Sequence, residues 1–269
     1  MQVKLNQRVW KKYFLSVMKI CVKSLMLRLD QALVDRGLCD SRERAKRAIL
    51  AGQVRVNSQL AQKASDAVQP ADEIVLTAGE KFVSRGGYKL EHALDYFKLD
   101  VTGLVAVDLG ASTGGFTDCL LQRGAQKVFA VDVGQGQLAW KLRQDRRVTV
   151  MEKTNARYLK PEQLPQRPEL IVIDCSFISL RKILPPAVAL LKTVGKIIAL
   201  VKPQFEAGKE EADKGRGVIR DASIHERILE ELRQFAGGMN LNWKDTVESP
   251  LQGPAGNKEF LVLIEKHKD

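Results

Sequence analysis

Apolar residues recur in short runs through the second half of the chain, at "LVAVD" (104–108), "KVFAVD" (127–132), "VTVM" (148–151), "LIVID" (170–174) and "KIIALVK" (196–202). Helical spacing follows the first, fourth and fifth runs, so strands and helices alternate as in a doubly wound α/β sheet. The ending differs. "NWKDTVES" (242–249) and "EFLVLIEK" (259–266) read as two strands joined by a loop with Pro250, Gly253, Pro254 and Gly256. That loop is too short for a crossover helix, which parallel neighbours need, so the last strand is expected to run antiparallel beside its predecessor.

The N-terminal half carries a different pattern. In "RLDQALVDRGLCD" (28–40), Leu29, Leu33 and Val34 share a helical face and Gly37 suits a C-terminal cap. "SRERAKRAILAGQVRVN" (41–57) offers Ser41 as N-cap, Ala45, Ala48 and Ile49 on a buried side, Gly52 as stop, and a strand through Val54 and Val56. Between the halves, "FVSRGGYKLEHALDYF" (82–97) opens on a turn and continues as an amphipathic helix, with Lys89 in its first turn and Leu90, Ala93, Leu94 and Phe97 facing a core. The expected organisation is a basic extension over 1–26, a small α+β module over 27–80 and an α/β domain over 81–269.

Charge refines this division. The formal net charge is +11 over 269 residues, yet residues 1–25 hold six basic and no acidic side chains, 26–80 hold eight of each, and 81–269 hold twenty-nine against twenty-four. Over half the excess sits in the extension, so the main domain gives only a weak argument for a polyanion. The extension has the charged start of a signal peptide, but Lys19 and Lys23 interrupt its apolar run and no small-residue cleavage site follows. It reads either as a basic amphipathic helix for an RNA or membrane surface, or as an upstream translation start, since Met26 precedes the first well-patterned helix. No segment reaches the roughly 18–20 apolar residues of a membrane span. Four scattered cysteines without a C-x-x-C, far in sequence from the three histidines, signal neither a disulfide framework nor a zinc site. A reducing cytoplasm fits.

The stretch "VDLGASTGGFTDCLLQRGAQKVFAVDVG" (107–134) is a strand, a glycine-rich turn, a helix and a second strand ending in aspartate. Gly110, Gly114 and Gly115 do not make the G-x-G-x-x-G of a dinucleotide site. Asp108 ends the first strand, the glycines let backbone approach a ligand, and the helix starting near Gly115 points its amide dipoles at the site. Asp132, twenty-four positions later, suits the ribose hydroxyls of either a nicotinamide dinucleotide or S-adenosylmethionine. The turn leaves both open, and the antiparallel ending favours the methyltransferase.

Longer motifs carry a resemblance. "RLDQALVDRGLCDSRERAKRAILAGQVRVN" resembles the small RNA-binding domain, the alpha-L motif, shared by a ribosomal protein and many pseudouridine synthases. "SRGGYKLEHAL", "DLGASTGGFTD", "IDCSFISLRKILP", "LVKPQFE" and "GVIRD" resemble the TlyA, or haemolysin A, family, whose catalytic domain belongs with the FtsJ-type ribose methyltransferases. The resemblance spans 27–269. It implies a Rossmann-like methyltransferase sheet, S-adenosylmethionine as cofactor, and 2'-O-methylation of ribosomal RNA with cytidine riboses as targets. It also implies a catalytic tetrad of Lys89, Asp174, Lys202 and Glu259, and phosphate contacts at Arg42, Arg44, Lys46, Arg47 and Arg55. Cofactor contacts are expected from Asp108, Gly110, Ser112, Thr113, Gly114, Gly115, Phe116, Asp132 and Asn155.

The chemistry suits these residue types. A ribose 2'-hydroxyl is a feeble nucleophile, so its proton must be withdrawn as the oxygen meets the methyl group, and Lys202 is the expected general base. A lysine serves as base only with a lowered pKa, which burial and a neighbouring cation promote and carboxylates oppose. No metal is called for, because the sulfonium methyl is already activated. Phe116, Phe177 and Phe205 flank the motifs and suit either the core or stacking on an unstacked base. A nicotinamide-dependent oxidoreductase and a membrane-active haemolysin are the competing readings, and the missing dinucleotide motif and the absence of a spanning segment count against them.

Overall fold

The computed structural model describes residues 26–50, 52–77, 81–208, 211, 215–253 and 255–266. The basic extension, and with it the choice between amphipathic helix and upstream start, lies outside the described residues. The chain divides into two compact units, 1–81 and 82–269.

In the small unit, β1 (Leu27–Arg28) pairs antiparallel with β4 (Ala67–Val68), and β2 (Val54–Val56) lies between β3 (Gln59–Leu60) and β5 (Ile74–Leu76) in an antiparallel sheet. Helices α1 (Leu29–Asp35) and α2 (Arg42–Leu50) close it. Their apolar stripes, Leu29, Ala32 and Leu33 against Ala45, Ala48 and Ile49, form the core with Val54, Val68 and Ile74. Ser41 caps α2, its Oγ accepting from the N–H of Arg44 at 3.3 Å. Gly37 adopts φ +68 just beyond α1, where its N–H reaches the Val34 carbonyl. Val34 is only half-buried, and Asp30 takes the fully buried place beside Leu29.

The second unit is a seven-stranded sheet. Its strands are β6 (Val105–Leu109), β7 (Lys127–Val131), β8 (Val148–Met151), β9 (Leu170–Ile173), β10 (Gly195–Val201), β11 (Leu241–Glu248) and β12 (Phe260–Lys266), in the order β11-β12-β10-β9-β6-β7-β8. β12 enters between β10 and β11 and pairs antiparallel with both, while the pairs among β6 to β10 are parallel. Alternation along the strands feeds two cores. Val107, Leu109, Ile171, Ile173, Ala199 and Val201 pack under α6 (Leu184–Leu190) and α8 (Ala222–Gly237). Ala106, Val128, Val172, Ile198 and Leu200 pack on the other face under α3 (Gly86–Tyr96) and α4 (Gly115–Gln122). Among the described residues there are also two short helices: α5 (Trp140–Arg143), after β7, has no counterpart among the expected helices, and α7 (Pro203–Glu206) begins one residue after β10.

Candidate active site

The parallel strands deliver their carboxyl-end residues to one edge of the sheet, where open α/β sheets hold ligands. Gly110 follows β6, Asp132 follows β7, Asp174 follows β9 and Lys202 follows β10. Two cavities meet there. One, of about 460 Å³, has walls that include Gly110, Ser112, Asp132, Asn155, Asp174 and Ser176. Its neighbour, about 340 Å³, is bounded by Lys89, Thr113, Gly115, Phe116, Lys202 and Glu259, and shares Gly110, Ser112, Asp174 and Ser176 with the first.

The glycine-rich turn is locked from several sides. Gly110 has φ +88, a left-handed conformation that favours glycine, and a Cβ there would stand 2.7 Å from the carbonyl oxygen of Asp174. Asp132 pins the turn, its Oδ2 accepting from the N–H of Ser112 at 2.8 Å and its Oδ1 from the N–H of Gly134 at 2.7 Å. Gly114 caps α4 with φ +96. At Gly115 a Cβ would meet the backbone nitrogen of Gly87 at 2.8 Å, so α4 starts flush against the helix that carries Lys89.

Two expected cofactor residues are placed otherwise. Asp108 lines neither cavity: it has the strand parity of Ala106 and so turns beneath α4, where its Oδ2 accepts from the N–H and Oγ1 of Thr117 at 3.0 and 2.7 Å. Its Oδ1 has no partner, and burial pushes its carboxyl up to about 7, with Asp174 and Asp132 adding repulsion. Phe116 borders the second cavity, but its side chain is buried in the core under α4. Asn155 borders the first cavity while its Oδ1 accepts from the N–H of Arg157, capping a 3-10 turn over Ala156–Tyr158. That bond leaves its amide NH2 as a donor.

Lys89, Asp174, Lys202 and Glu259 all reach the second cavity and sort into two ion pairs. Lys89 donates to Glu259, both being buried. Lys202 Nζ lies 2.6 Å from Asp174 Oδ1 and donates to Ser176 Oγ at 2.8 Å. Ser176 is not among the residues that the sequence motifs imply; a hydroxyl two positions after a strand-end aspartate is the signal available. The loop bearing Ser176 is held by Glu206 of α7, which accepts from Ser179 Oγ at 2.6 Å and from the N–H of Leu180 at 2.7 Å. Burial raises the Glu206 carboxyl.

Of the three flanking phenylalanines, Phe177 stands out: it is 88% exposed, has φ +62, and its ring centroid lies 5.0 Å from that of Phe205. The two rings join Arg157, Ile178, Ser179 and Lys182 around a third cavity, about 500 Å³. In the small unit, Arg42, Arg44, Arg47 and Arg55 are exposed and Lys46 half-buried. Several are engaged: Arg42 with buried Asp30 at 3.0 Å, Arg44 with Asp40 at 2.6 Å, and Arg55 with the carbonyl of Ser58 at 3.0 Å.

The donor set of the first cavity fits S-adenosylmethionine. Asp132 stands at a strand end with both oxygens already oriented, the turn backbone is bare of side chain at Gly110, and Val133, Ile178 and Ile183 give an apolar wall. The volume falls within the range of small-molecule sites. With the inserted antiparallel strand, the fold and site define an S-adenosylmethionine-dependent methyltransferase. Residues 82–266 match the FtsJ-like methyltransferase family and residues 27–74 match the S4 domain. The chain belongs to the TlyA, or haemolysin A, family, an S4 domain followed by an FtsJ-like methyltransferase.

Relatives agree over most of the chain. It is 47% identical over 239 residues to Bacillus subtilis YqxC, assigned as an rRNA methyltransferase, covering 88% of this chain and 85% of that one. It is 44% identical over 244 residues to the 16S/23S rRNA (cytidine-2'-O)-methyltransferase TlyA of Mycobacterium tuberculosis, covering 90% and 91%. A solved structure from Streptococcus thermophilus, described as a hemolysin, superposes with a TM-score of 0.70 at 45% identity, covering 91% of this chain and 90% of that one. Among the described residues, no helix is long and apolar enough to cross a membrane.

Proposed function

We propose that this protein methylates the 2'-hydroxyl of cytidine riboses in ribosomal RNA, acting in the cytoplasm. The observation that carries the reading is the pair of ion pairs, Lys89–Glu259 and Lys202–Asp174, facing one cavity that shares Asp174 and Ser176 with the cofactor cavity. The names of the curated relatives support the substrate.

S-adenosylmethionine supplies an electrophilic methyl group on a sulfonium sulfur. Asp132, Asn155 and the turn from Gly110 to Gly115 would hold it, and the amine of Lys202 would take the ribose proton as the oxygen bonds to the methyl carbon and the carbon–sulfur bond breaks, the neutral thioether leaving. Asp174 holds that amine in place. Lys89, anchored by Glu259, puts a second amine beside the reacting hydroxyl. Phe177 and Phe205 give the nucleobase an aromatic surface, and Arg157 and Lys182 bring positive charge to its rim. A strained left-handed backbone at a bulky aromatic is the kind of feature that clusters at functional sites. The basic residues Arg44, Lys46, Arg47 and Arg55 of the S4 domain position the RNA through its phosphates without reading sequence.

The test is methyl transfer from labelled cofactor to unmodified ribosomal RNA, followed by nucleoside mass spectrometry. Label in 2'-O-methylcytidine is the expected result. Label on a base, or calorimetric binding of NAD with none of S-adenosylmethionine, would overturn it.

A further inference from the structure

A side chain outside the Lys89–Asp174–Lys202–Glu259 set touches the amine of Lys202. That nitrogen donates to Ser176 Oγ at 2.8 Å as well as pairing with Asp174 Oδ1 at 2.6 Å, and Ser176 borders both cavities. We infer that Ser176 is a positioning residue for Lys202, fixing the direction in which its nitrogen faces the ribose hydroxyl. The inference rests on the reading of Lys202 as the base.

Valence restricts the amine. A lysine amine sits on a flexible stem and spins freely about its last carbon–nitrogen bond. In the neutral form that accepts a proton, the nitrogen carries two hydrogens and one lone pair. A single acceptor such as Asp174 leaves the lone pair free to rotate around that one hydrogen bond. Two acceptors leave one tetrahedral direction for it. Asp174 and Ser176 are those two, and the same wall of the second cavity that holds them also borders the cofactor cavity.

The loop is built to hold the hydroxyl still. Glu206 accepts from both Ser179 and Leu180, and Glu206 sits on the four-residue helix that begins immediately after Lys202. The segment carrying the base therefore also grips the segment carrying Ser176. The next residue, Phe177, is held at φ +62, a conformation an aromatic side chain adopts only under constraint from its surroundings.

The experiment compares Ser176→Ala, Ser176→Thr and Lys202→Ala in the full chain, by single-turnover methyl transfer to ribosomal RNA and by calorimetric titration with S-adenosylmethionine. Ser176→Ala should slow the saturated rate by about tenfold to a hundredfold, as misaimed groups do, with KM for RNA and cofactor affinity within about twofold of wild type. Ser176→Thr, which keeps the hydroxyl, should restore most of the rate. In the Lys202→Ala background the serine change should cost nothing further, because it acts through the lysine. A normal rate in Ser176→Ala, or a loss that threonine fails to rescue, overturns the inference. If Lys202→Ala itself remains active, the assignment of the base has failed instead.

Discussion

Arg42, at the start of α2, lies 3.0 Å from a carboxylate oxygen of Asp30, which is fully buried in α1. Arg28 grips the same carboxylate at 3.0 Å. Hydrogen bonding from Arg28, then from Arg42, holds the Asp30 carboxyl down to about 2 against the opposing effect of burial. Arg42 thus ties the two helices of the S4 domain together, a role its place on an exposed basic flank does not announce. Arg42→Ala should destabilise that domain by about 1 kcal/mol, below the usual worth of a hydrogen bond to a charged group because Arg42 is half exposed and Arg28 still pairs with Asp30. Because the folded carboxyl is depressed, its stabilisation is present above about pH 4 and is lost as pH falls toward about 2. Thermal melts should show the gap between wild type and Arg42→Ala closing over that window; a gap independent of pH would count against the pairing.

RNA affinity should follow the other basic residues. Replacing Arg44, Lys46, Arg47 and Arg55 together with alanine should weaken binding to ribosomal RNA and flatten its dependence on salt, since fewer counterions are released. The check is a binding series from low to high salt. An unchanged slope would return these side chains to the role of a solvated helix face.

Asp108 predicts a pH dependence of opposite sign. Burial raises its carboxyl to about 7, so the stability linked to it is fully present below about pH 4 and is lost as pH rises through about 7. The total is on the order of 4 kcal/mol at most. Asp108→Asn, which keeps an acceptor for Thr117 without ionising, should remove most of this slope. Denaturant unfolding of the cofactor-free protein at about pH 5 and pH 8 measures it, and parallel slopes in both proteins would refute the linkage.

Binding and catalysis should separate between Lys202 and Asp132. Lys202→Ala should cut single-turnover transfer by about a hundredfold to ten-thousandfold, the usual worth of a positioned base, while cofactor affinity stays nearly intact. Asp132→Ala removes the carboxylate that pins Ser112 and Gly134, and should weaken the cofactor first. Calorimetry alongside transfer assays distinguishes them; equal affinity losses in both variants would contradict the division.

The sequence made the sheet legible where local rules apply. The Pro- and Gly-rich loop before Phe260 excludes a crossover helix, and β12 is antiparallel accordingly. The positions of Asp132, Asp174 and Lys202 at strand ends were equally readable, because apolar runs stop at them. What escaped depends on long-range packing. Asp108 reads as a ligand contact because it ends an apolar run, but its parity turns it under α4. Asp30 looks like an exposed helix residue until Arg28 and Arg42 converge on it. Phe177 at φ +62 has no glycine or asparagine to advertise it, and α5 is a single turn, too short to show periodicity.

The pairing of Lys89 with Glu259 spans 170 positions, and Glu259 stands just ahead of the strand threaded between β10 and β11. During synthesis, the turn from Gly110 to Gly115, Asp132, Asp174 and Lys202 all leave the ribosome well before that partner does. The Lys89–Glu259 pair is thus a marker of that insertion: it exists only in a chain whose β12 has entered the sheet between β10 and β11.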